Sequence, residues 1–330
     1  MRIMKLNVTL LAALAFVALG RQMTLAQGTT GFEILRLPTF ARGSALGGAL
    51  VADDGNLESI YYNPAGLTAI TQRTGSAGYM DYLMDIGAGF LAYAEPQGKW
   101  GNWGASIIYI NYGDFDHRDA DGNDLGSFSA SDFVLGLSYA RIVLPKLSLG
   151  ASGKFVYSHI ENYIGNALAL DLGAQYEFIP DRLRGGLGIF NAGITTRAYA
   201  ETADDLPLYY RLGVSGTPEG LPAILYFSMT LFHEYADNYS LGNLGGGKLG
   251  DLVGDIYYAI GAEFKPMESF FLRVGYDTQG LDQRVGTRKD GFAGVSGGVG
   301  FDLSIARLDL GLASYGELGT VLRISASANF

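Results

Sequence analysis

Most of the chain alternates apolar side chains with small or polar ones, and this period of two recurs in segment after segment. Between residues 164 and 178, for example, Leu168, Leu170 and Leu172 alternate with residues that include Asp171 and Gln175. Successive side chains of a β-strand point to opposite faces, so the alternation predicts strands with one apolar face. We predict about fourteen strands, at residues 73–82, 85–95, 101–112, 131–142, 146–159, 164–178, 184–195, 207–217, 222–234, 253–265, 268–278, 291–303, 306–315 and 319–330.

The connections between these strands alternate in length. They are short after even-numbered strands, as at 179–182 and 217–221, and several are long after odd-numbered ones, as at 113–130 and 235–252. Short turns on one side and long loops on the other are typical of outer-membrane barrels, whose tilted strands cross the lipid in about ten residues. A sheet in lipid must close, because nothing there satisfies a free edge. The sequence therefore predicts an all-β fold, a transmembrane antiparallel β-barrel of about 14 strands over residues 73–330.

The first 72 residues depart from this pattern and divide into two parts. Arg2 and Lys5 precede an apolar stretch, and small residues lead up to Ala26. This is the pattern of a secretory signal peptide, so we expect residues 1–26 to be removed after export through the inner membrane. Residues 27–72 mix small and apolar residues without alternation, and Pro64 interrupts any regular ladder. We expect them to form a small N-terminal plug segment.

Composition narrows the class of protein further. The chain has 48 glycines and only 17% charged residues, with many aromatic ones, which suits a protein between lipid and water and argues against disorder. It has no cysteine, which excludes disulfides and thiolate chemistry. The formal charge of −10 would repel phosphate backbones, so we expect no nucleic-acid partner.

Charged residues fall on the non-apolar faces of the predicted strands. Because a basic residue facing lipid at mid-depth costs roughly 2–4 kcal/mol, we expect these groups to face a polar interior. Two interpretations stay open: a salt-bridged lumen that stiffens the barrel, and a lined passage or pocket. The candidate lumen-facing charges are Lys154, Asp171, Glu177, Arg211, Glu263, Arg273, Asp302 and Arg323.

The sequence predicts no enzyme, cofactor site or metal centre. His117, His159 and His233 are far apart along the chain, whereas a zinc site needs clustered ligands. The acidic stretch from Asp119 to Asp124 lacks the spacing of an EF-hand loop. It is either a solvated loop tip or a place where divalent ions bridge the barrel to lipopolysaccharide.

Three stretches of the mature chain resemble the PorV/PorQ family of outer-membrane barrels, which belongs to the broader group built like the long-chain fatty-acid transporter. The Leu-Pro and Ala-Leu-Gly-Gly spelling is closer to PorQ than to PorV. The resemblance covers essentially the whole mature chain. The stretches are 32–38 with 41–42 and 45–48, 61–67, and 109–115 with 126–132 and 138–141.

This resemblance implies a fourteen-stranded barrel and a place in type IX protein secretion, where PorQ-type members are thought to hold a surface partner. In the fatty-acid transporter an Asn-Pro-Ala motif lies near the plug and a lateral opening. The resemblance therefore implies that Asn63, Pro64 and Ala65 form a plug or gate motif. The chain also ends on an aromatic residue, Phe330, which the barrel assembly machinery of bacteria commonly recognises.

Three functional hypotheses follow. The first is a non-catalytic component of type IX secretion or surface anchoring, whose loops hold a secretion component or a surface β-protein. The second is an outer-membrane transporter for small hydrophobic molecules such as fatty acids. The third is a secreted soluble β-protein with an enzymatic or sugar-binding role. For the first two, the expected location is the bacterial outer membrane, in contact with its lipid and lipopolysaccharide.

Overall fold

The barrel is closed and contains fourteen antiparallel strands. The computed structural model describes residues 31–83, 86–119, 121, 123–199, 203–232, 256–281 and 292–330. Each strand pairs with its neighbours in sequence, and β1 pairs with β14. The predicted all-β antiparallel barrel is thus confirmed. Its strands are β1 Thr74–Asp81, β2 Gly87–Pro96, β3 Asn102–Arg118, β4 Asp124–Leu144, β5 Leu147–Ile160, β6 Tyr163–Ile179, β7 Leu183–Arg197, β8 Tyr209–Gly216, β9 Ala223–Phe232, β10 Ile256–Met267, β11 Phe270–Asp277, β12 Val295–Asp302, β13 Arg307–Ser314 and β14 Thr320–Asn329.

The connections give the barrel two different ends. At one end, which we call the turn end, each even-numbered strand turns into the next, as at 145–146 and 268–269. The start of β1 and the chain terminus Phe330 also lie there. At the opposite end, the loop end, odd-numbered strands end and the next strands begin, as at 161–162 and 315–319. The predicted signal peptide, residues 1–26, lies outside the described residues.

The two faces of the strands differ in exposure as the alternation predicts. On β6, Leu170 is 43% exposed whereas Asp171 is fully buried. Leucines such as Leu137, Leu187 and Leu310 continue the exposed apolar face around the barrel. Such a face suits acyl chains, since the lipid-facing residues of outer-membrane barrels are apolar. None of the helices in the described ranges combines the length and the apolar character that a membrane crossing needs.

β3 and β4 extend past the barrel at the loop end as a two-stranded ribbon. The sequence predicts a loop at 113–130, but β3 continues to Arg118 and β4 begins at Asp124. Glycine and aspartate are depleted in strands, so the composition of this stretch favoured a loop. Cross-strand contacts offset that preference: the rings of Phe115 and Phe128 stack with their centroids 5.3 Å apart.

Residues 31–72 fill the lumen between the two ends, and we call them the plug. The plug contains a 3-10 helix at Glu33–Arg36, helix α1 at Ala41–Ala45, helix α2 at Ser59–Tyr62 and a second 3-10 helix at Pro64–Ala69. After α1, Gly47 and Gly48 take positive φ angles of 63° and 74°. Glycine adopts this left-handed conformation without a Cβ clash, so the sequence Ala-Leu-Gly-Gly ends the helix at this point.

The plug backbone lies directly against the barrel wall because inward-facing wall positions are glycines. A Cβ atom at Gly173 would lie 2.0 Å from Asn63 Oδ1, and one at Gly311 would lie 2.3 Å from the Ala41 carbonyl oxygen. The high glycine content of the chain thus has a packing reason. Eight strands contribute a glycine whose Cβ would meet backbone or side-chain atoms of the plug: Gly150, Gly173, Gly186, Gly213, Gly261, Gly275, Gly298 and Gly311.

Candidate functional site

A cavity of about 300 Å³ lies between the plug and the loop end, and we call it the upper cavity. Gly48 and Tyr62 of the plug line one side of it, and loop-end residues of the barrel line the other. Tyrosine supplies both a ring and a hydroxyl group, so this lining can hold a small molecule through ring contacts and hydrogen bonds. Seven tyrosines line it: Tyr61, Tyr62, Tyr82, Tyr112, Tyr257, Tyr258 and Tyr315.

Arg211, one of the lumen-facing charges that the sequence predicts, lines the upper cavity from β8. Its Nε donates to Thr230 Oγ1 at 3.0 Å, and its guanidinium carbon lies 5.1 Å from the centroid of the Tyr209 ring and 5.9 Å from that of Phe190. Its Nη1 is buried without a hydrogen-bond partner. Arg211 forms no ion pair with any residue that the structure describes, so this part of the cavity wall carries an uncompensated positive charge.

Arg323 on β14 connects the plug to the wall of the upper cavity. It is fully buried. Its Nε donates to the carbonyl oxygen of Pro38 in the plug at 2.6 Å, and its Nη2 donates to the hydroxyl of Tyr315 at 3.1 Å. Because Tyr315 lines the cavity, a movement of the plug at Pro38 would shift Arg323 and, through it, the cavity wall at Tyr315.

Buried charged groups also join α1 to the strands β9 and β10. Arg42 donates to Asp53 at 2.8 and 3.1 Å and to Glu263 of β10 at 2.9 and 3.2 Å. It also donates to the hydroxyl of Tyr226 at 2.9 Å, and that hydroxyl donates to Asp53 at 3.0 Å. We call Arg42, Asp53, Tyr226 and Glu263 the latch. The same four residues line a second cavity of about 250 Å³ at the turn end, so the plug and its latch separate the two cavities.

Charges near the latch are closely balanced. Arg273 donates to Glu263 at 2.6 Å and lies 2.7 Å from Asp309, which is 3.3 Å from Arg307. With Arg42 and Asp53, three arginines then face three carboxylates. A fourth carboxyl group, that of Glu58 in the plug, is buried beside this cluster. Burial raises the pKa of Glu58 to about 7, against the opposing effect of Arg42, so this carboxyl group stays largely protonated below neutral pH.

The Asn-Pro-Ala motif wedges the plug against β5, β6 and β7. The side-chain amide of Asn63 donates to the carbonyl oxygens of Val51 at 2.7 Å and Ala174 at 3.2 Å, and its Oδ1 accepts from the backbone amide of Ala65 at 3.1 Å. Asn63 is fully buried. Pro64 opens the second 3-10 helix. In this conformation the motif anchors the plug, and its role as a gate stays a prediction.

Lys154 and Asp171 meet at an irregularity in the barrel wall. They form a salt bridge at 2.6 Å, and Lys154 also donates to Asn191 Oδ1 at 2.9 Å. Asn191 has a positive φ of 60° and sits where the register between β6 and β7 shifts, and its backbone amide donates to Asp171 at 2.8 Å. Asparagine tolerates this conformation better than most residues. The pair therefore stabilises a bulge and does not line the upper cavity.

The remaining predicted residues lie apart from the upper cavity. Glu177 is 3.6 Å from Arg184, and Asp302 is 3.8 Å from Arg307, both near the turn end. The ring of Phe330 is 71% exposed at the same end. Within the described residues no group of three or more histidine, aspartate or glutamate side chains could hold a metal ion. His233 lies outside those residues.

The pattern of the sequence predicts no functional role for Arg42, Asp53 or Tyr226, which form most of the latch. One feature of the sequence does indicate a buried ion pair in the plug. Arg42 is a basic residue in a stretch of small and apolar residues that the sequence already places inside the barrel. A buried arginine requires a carboxylate or a set of acceptors, so an acidic residue such as Asp53 in the same segment was the natural candidate.

Neither of the sequence comparisons identifies a relative: no protein-family model matches the chain, and no curated protein matches it. Solved structures do match its fold. One is the CymD monoaromatic hydrocarbon channel, with a TM-score of 0.59 and 13% identity over 88% of this chain and 97% of that one. Another is the Pseudomonas putida toluene transporter TodX, with a TM-score of 0.57 and 12% identity over 88% of this chain and 98% of that one.

A FadL homologue of Pseudomonas aeruginosa is similar as well, with a TM-score of 0.55 and 13% identity over 89% of this chain and 99% of that one. The chain shares the fold of these barrels. Together with the apolar outer face, this likeness supports a location in the bacterial outer membrane. It does not show the PorV/PorQ family that the sequence motifs resemble, and that resemblance stays a prediction.

Proposed function

We propose that this barrel is a non-catalytic transporter that admits small hydrophobic molecules at the loop end and passes them through the bacterial outer membrane. The observation that carries the proposal is the upper cavity, which holds about 300 Å³ on the loop-end side of the plug. Small-molecule sites are concave and lined by aromatic and apolar groups with a few polar ones, as this cavity is. The fold shared with hydrocarbon channels supports the same proposal.

The plug closes the lumen between the upper cavity and the turn end of the barrel. Ile34 and Tyr61 line both the upper cavity and a smaller apolar pocket behind it, whose other lining residues include Phe40, Phe90 and Ile108. Wall glycines bring the plug backbone into contact with the strands around the barrel. A molecule in the upper cavity therefore advances only when the plug shifts. Such a shift has to break the charged contacts between plug and wall, which include the latch and the ion pair of Asp54 with Arg184.

The proposal is tested with the mature barrel in vesicles whose outer leaflet is lipopolysaccharide, because an ordinary phospholipid bilayer passes small hydrophobic molecules unaided. Uptake of toluene, benzamide, benzoate and palmitate is compared with that of vesicles without the barrel. Uptake of at least one compound above that background is expected. If no compound enters faster through the barrel than through empty vesicles, the proposed function is wrong.

A lock on the plug gives a matched control, because the chain has no cysteine of its own. The hydroxyl oxygens of Thr68 in the plug and Ser148 on β5 lie 2.9 Å apart, so cysteines at these two positions would bring their sulfur atoms within reach of a disulfide. The double variant Thr68→Cys/Ser148→Cys should be closed when oxidised and active after reduction. Equal uptake in both forms would show that the plug does not have to move.

A second candidate, surface anchoring in type IX secretion, is favoured by the ribbon of β3 and β4. This ribbon extends beyond the barrel and exposes Phe115, which a membrane-facing position does not explain. Under this proposal the ribbon holds a surface β-protein. Purification from native membranes should then recover that protein with the full chain and lose it when residues 113–129 are replaced by a short turn. Recovery of no partner with the full chain would contradict this candidate.

A further inference from the structure

We infer that the upper cavity selects small aromatic acids, and that Arg211 is the residue that recognises their carboxylate. The inference rests on the proposed function and names its substrate class. It separates this chain from what the names of its structural neighbours describe, since a monoaromatic hydrocarbon carries no charge for a guanidinium to recognise. Three properties of the cavity support it: the position of Arg211 without an ion-pair partner, the aromatic lining and the size.

Arg211 has no ion-pair partner among the described residues and is available for an anion. Glu33, Arg36, Arg211 and Asp277 are the charged residues of the cavity lining. Glu33 lies 3.7 Å from Arg36, and Asp277 accepts a hydrogen bond from the backbone amide of Gln279 at 2.9 Å. No carboxylate among the described residues pairs with Arg211, and its side chain lines the cavity. A partly buried guanidinium in this position is stabilised by a ligand carboxylate through charge-assisted hydrogen bonds.

The surroundings of Arg211 suit an aromatic ring attached to that carboxylate. Tyr61 and Tyr62 of the plug line the cavity, whereas Tyr209 and Phe190 are buried behind the guanidinium and hold it in place. The hydroxyl of Tyr62 is buried without a hydrogen-bond partner. Aromatic faces favour offset or edge contacts with another ring, and tyrosine hydroxyls tolerate the polar edge of an acid better than aliphatic side chains do.

The size of the cavity favours a single ring over a long chain. Its volume of about 300 Å³ is at the lower end of the range that small-molecule sites span, roughly 300–1,000 Å³. The apolar pocket behind Tyr61 adds only about 20 Å³ of space for a ligand. A compact acid such as benzoate fits this space with its carboxylate at Arg211, whereas a long acyl chain would have to displace the plug first.

Benzoate and benzamide test the inference, because they share a shape and differ in charge. Their binding to the mature barrel in detergent is measured by calorimetry, for the wild type and for Arg211→Met, Arg211→Lys and the control Arg118→Met on the exposed ribbon. A hydrogen-bonded ion pair at this depth predicts that the wild type binds benzoate roughly 10- to 100-fold more tightly than benzamide. Arg211→Met should remove this preference, Arg211→Lys should keep part of it, and Arg118→Met should keep all of it.

Two results would overturn the inference: equal affinity of the wild type for benzoate and benzamide, or an unchanged preference in Arg211→Met. Retention of heat-modifiable gel mobility shows that each variant is folded, so a loss of binding is not a loss of the barrel. The vesicle uptake assay keeps the two proposals apart. Uptake of benzamide or toluene but not benzoate would leave the transporter standing and refute the acid preference, whereas charge-selective binding without uptake of any compound would do the reverse.

Discussion

Replacing Arg42 by methionine should release the plug from β9 and β10. Methionine keeps a long apolar stem inside α1 and removes the five hydrogen bonds that the guanidinium donates to Asp53, Glu263 and Tyr226. Glu263 keeps its bond from Arg273 at 2.6 Å. Asp53 keeps only the Tyr226 hydroxyl at 3.0 Å and a longer contact with Asn56, so a buried carboxylate on the plug loses its counter-charge.

The size of the effect follows from that unpaired charge. Removing one partner of a buried, hydrogen-bonded ion pair destabilises by about 3–5 kcal/mol. Asp53 and Glu263 are about as buried as Arg42 itself, whose side chain is 3% exposed. Water therefore screens little of the attraction between these charges. Since 1.4 kcal/mol is a factor of ten, the population of undocked plug should rise by roughly 10² to 4 × 10³. The wall strands lose far less, so the barrel itself should stay assembled.

Cysteine labelling measures this population, because the natural chain contains no cysteine. Ser59 of α2 is 3% exposed and its hydroxyl has no hydrogen-bond partner, so Ser59→Cys is a small change at a site that only an undocked plug exposes. The rate of reaction with a water-soluble maleimide then reports local opening. It should rise by about the factor above when Arg42→Met is added.

The control for this experiment is Arg182→Met at the turn end. Arg182 pairs with Glu219, but both side chains are exposed, and exposed ion pairs contribute about 0–1 kcal/mol. The labelling rate should therefore stay within a few-fold of the parent. If Arg42→Met labels no faster than Arg182→Met while both keep their heat-modifiable mobility, the latch does not hold the plug and the reasoning fails.

Two more predictions use the same molecule. Burial raises the pKa of Glu58 to about 7 from an ordinary value of 4.5, so its contribution to plug docking is fully present below about pH 4.5 and is lost as the pH rises towards 7. The labelling rate of Ser59→Cys, corrected by that of an exposed reference cysteine, should thus be higher at pH 8 than at pH 5. The same pH dependence of the corrected rate after Glu58→Gln is added would contradict this. Gly173→Ala places a Cβ 2.0 Å from Asn63 Oδ1 and should destabilise the folded barrel by about 1–3 kcal/mol in urea unfolding. Gly153→Ala meets nothing within 4 Å and should change nothing, and equal effects of the two variants would refute the close-packing argument.

The barrel could be predicted from the sequence because a strand in lipid records its two environments in alternate residues. Leu170 and Asp171 are neighbours in sequence, yet one is 43% exposed and the other fully buried. The ribbon at the end of β3 and β4 could not be predicted in this way, because its two faces share one environment. Water surrounds it on both sides, so no alternation is required of it, and only cross-strand contacts such as Phe115 with Phe128 reveal it.

The site was harder to predict because its residues are distant in sequence and its partners are set by packing. Arg211 could be placed on the inward face, but nothing in the alternation shows that it has no carboxylate beside it while Lys154 has Asp171 at 2.6 Å. The latch joins Arg42 to Glu263 across 221 positions. Such pairs depend on which face of the plug meets which strand, and the plug carries no periodic pattern from which that orientation could be read.

The charged latch gives the plug a defined position and still allows it to leave. If the contact between plug and wall were wholly apolar, undocking would expose apolar surface to water. Its free-energy cost would then grow with the area exposed. Charges behave differently, because Arg42, Asp53 and Glu263 regain hydration when they separate, and the desolvation they suffer on docking offsets much of their attraction. A buried ion pair therefore contributes little net stability while it fixes orientation through its bond geometry. Under the proposed transport function the plug has to return to one position after each passage of a molecule, and a charged contact serves that requirement better than a wholly apolar one.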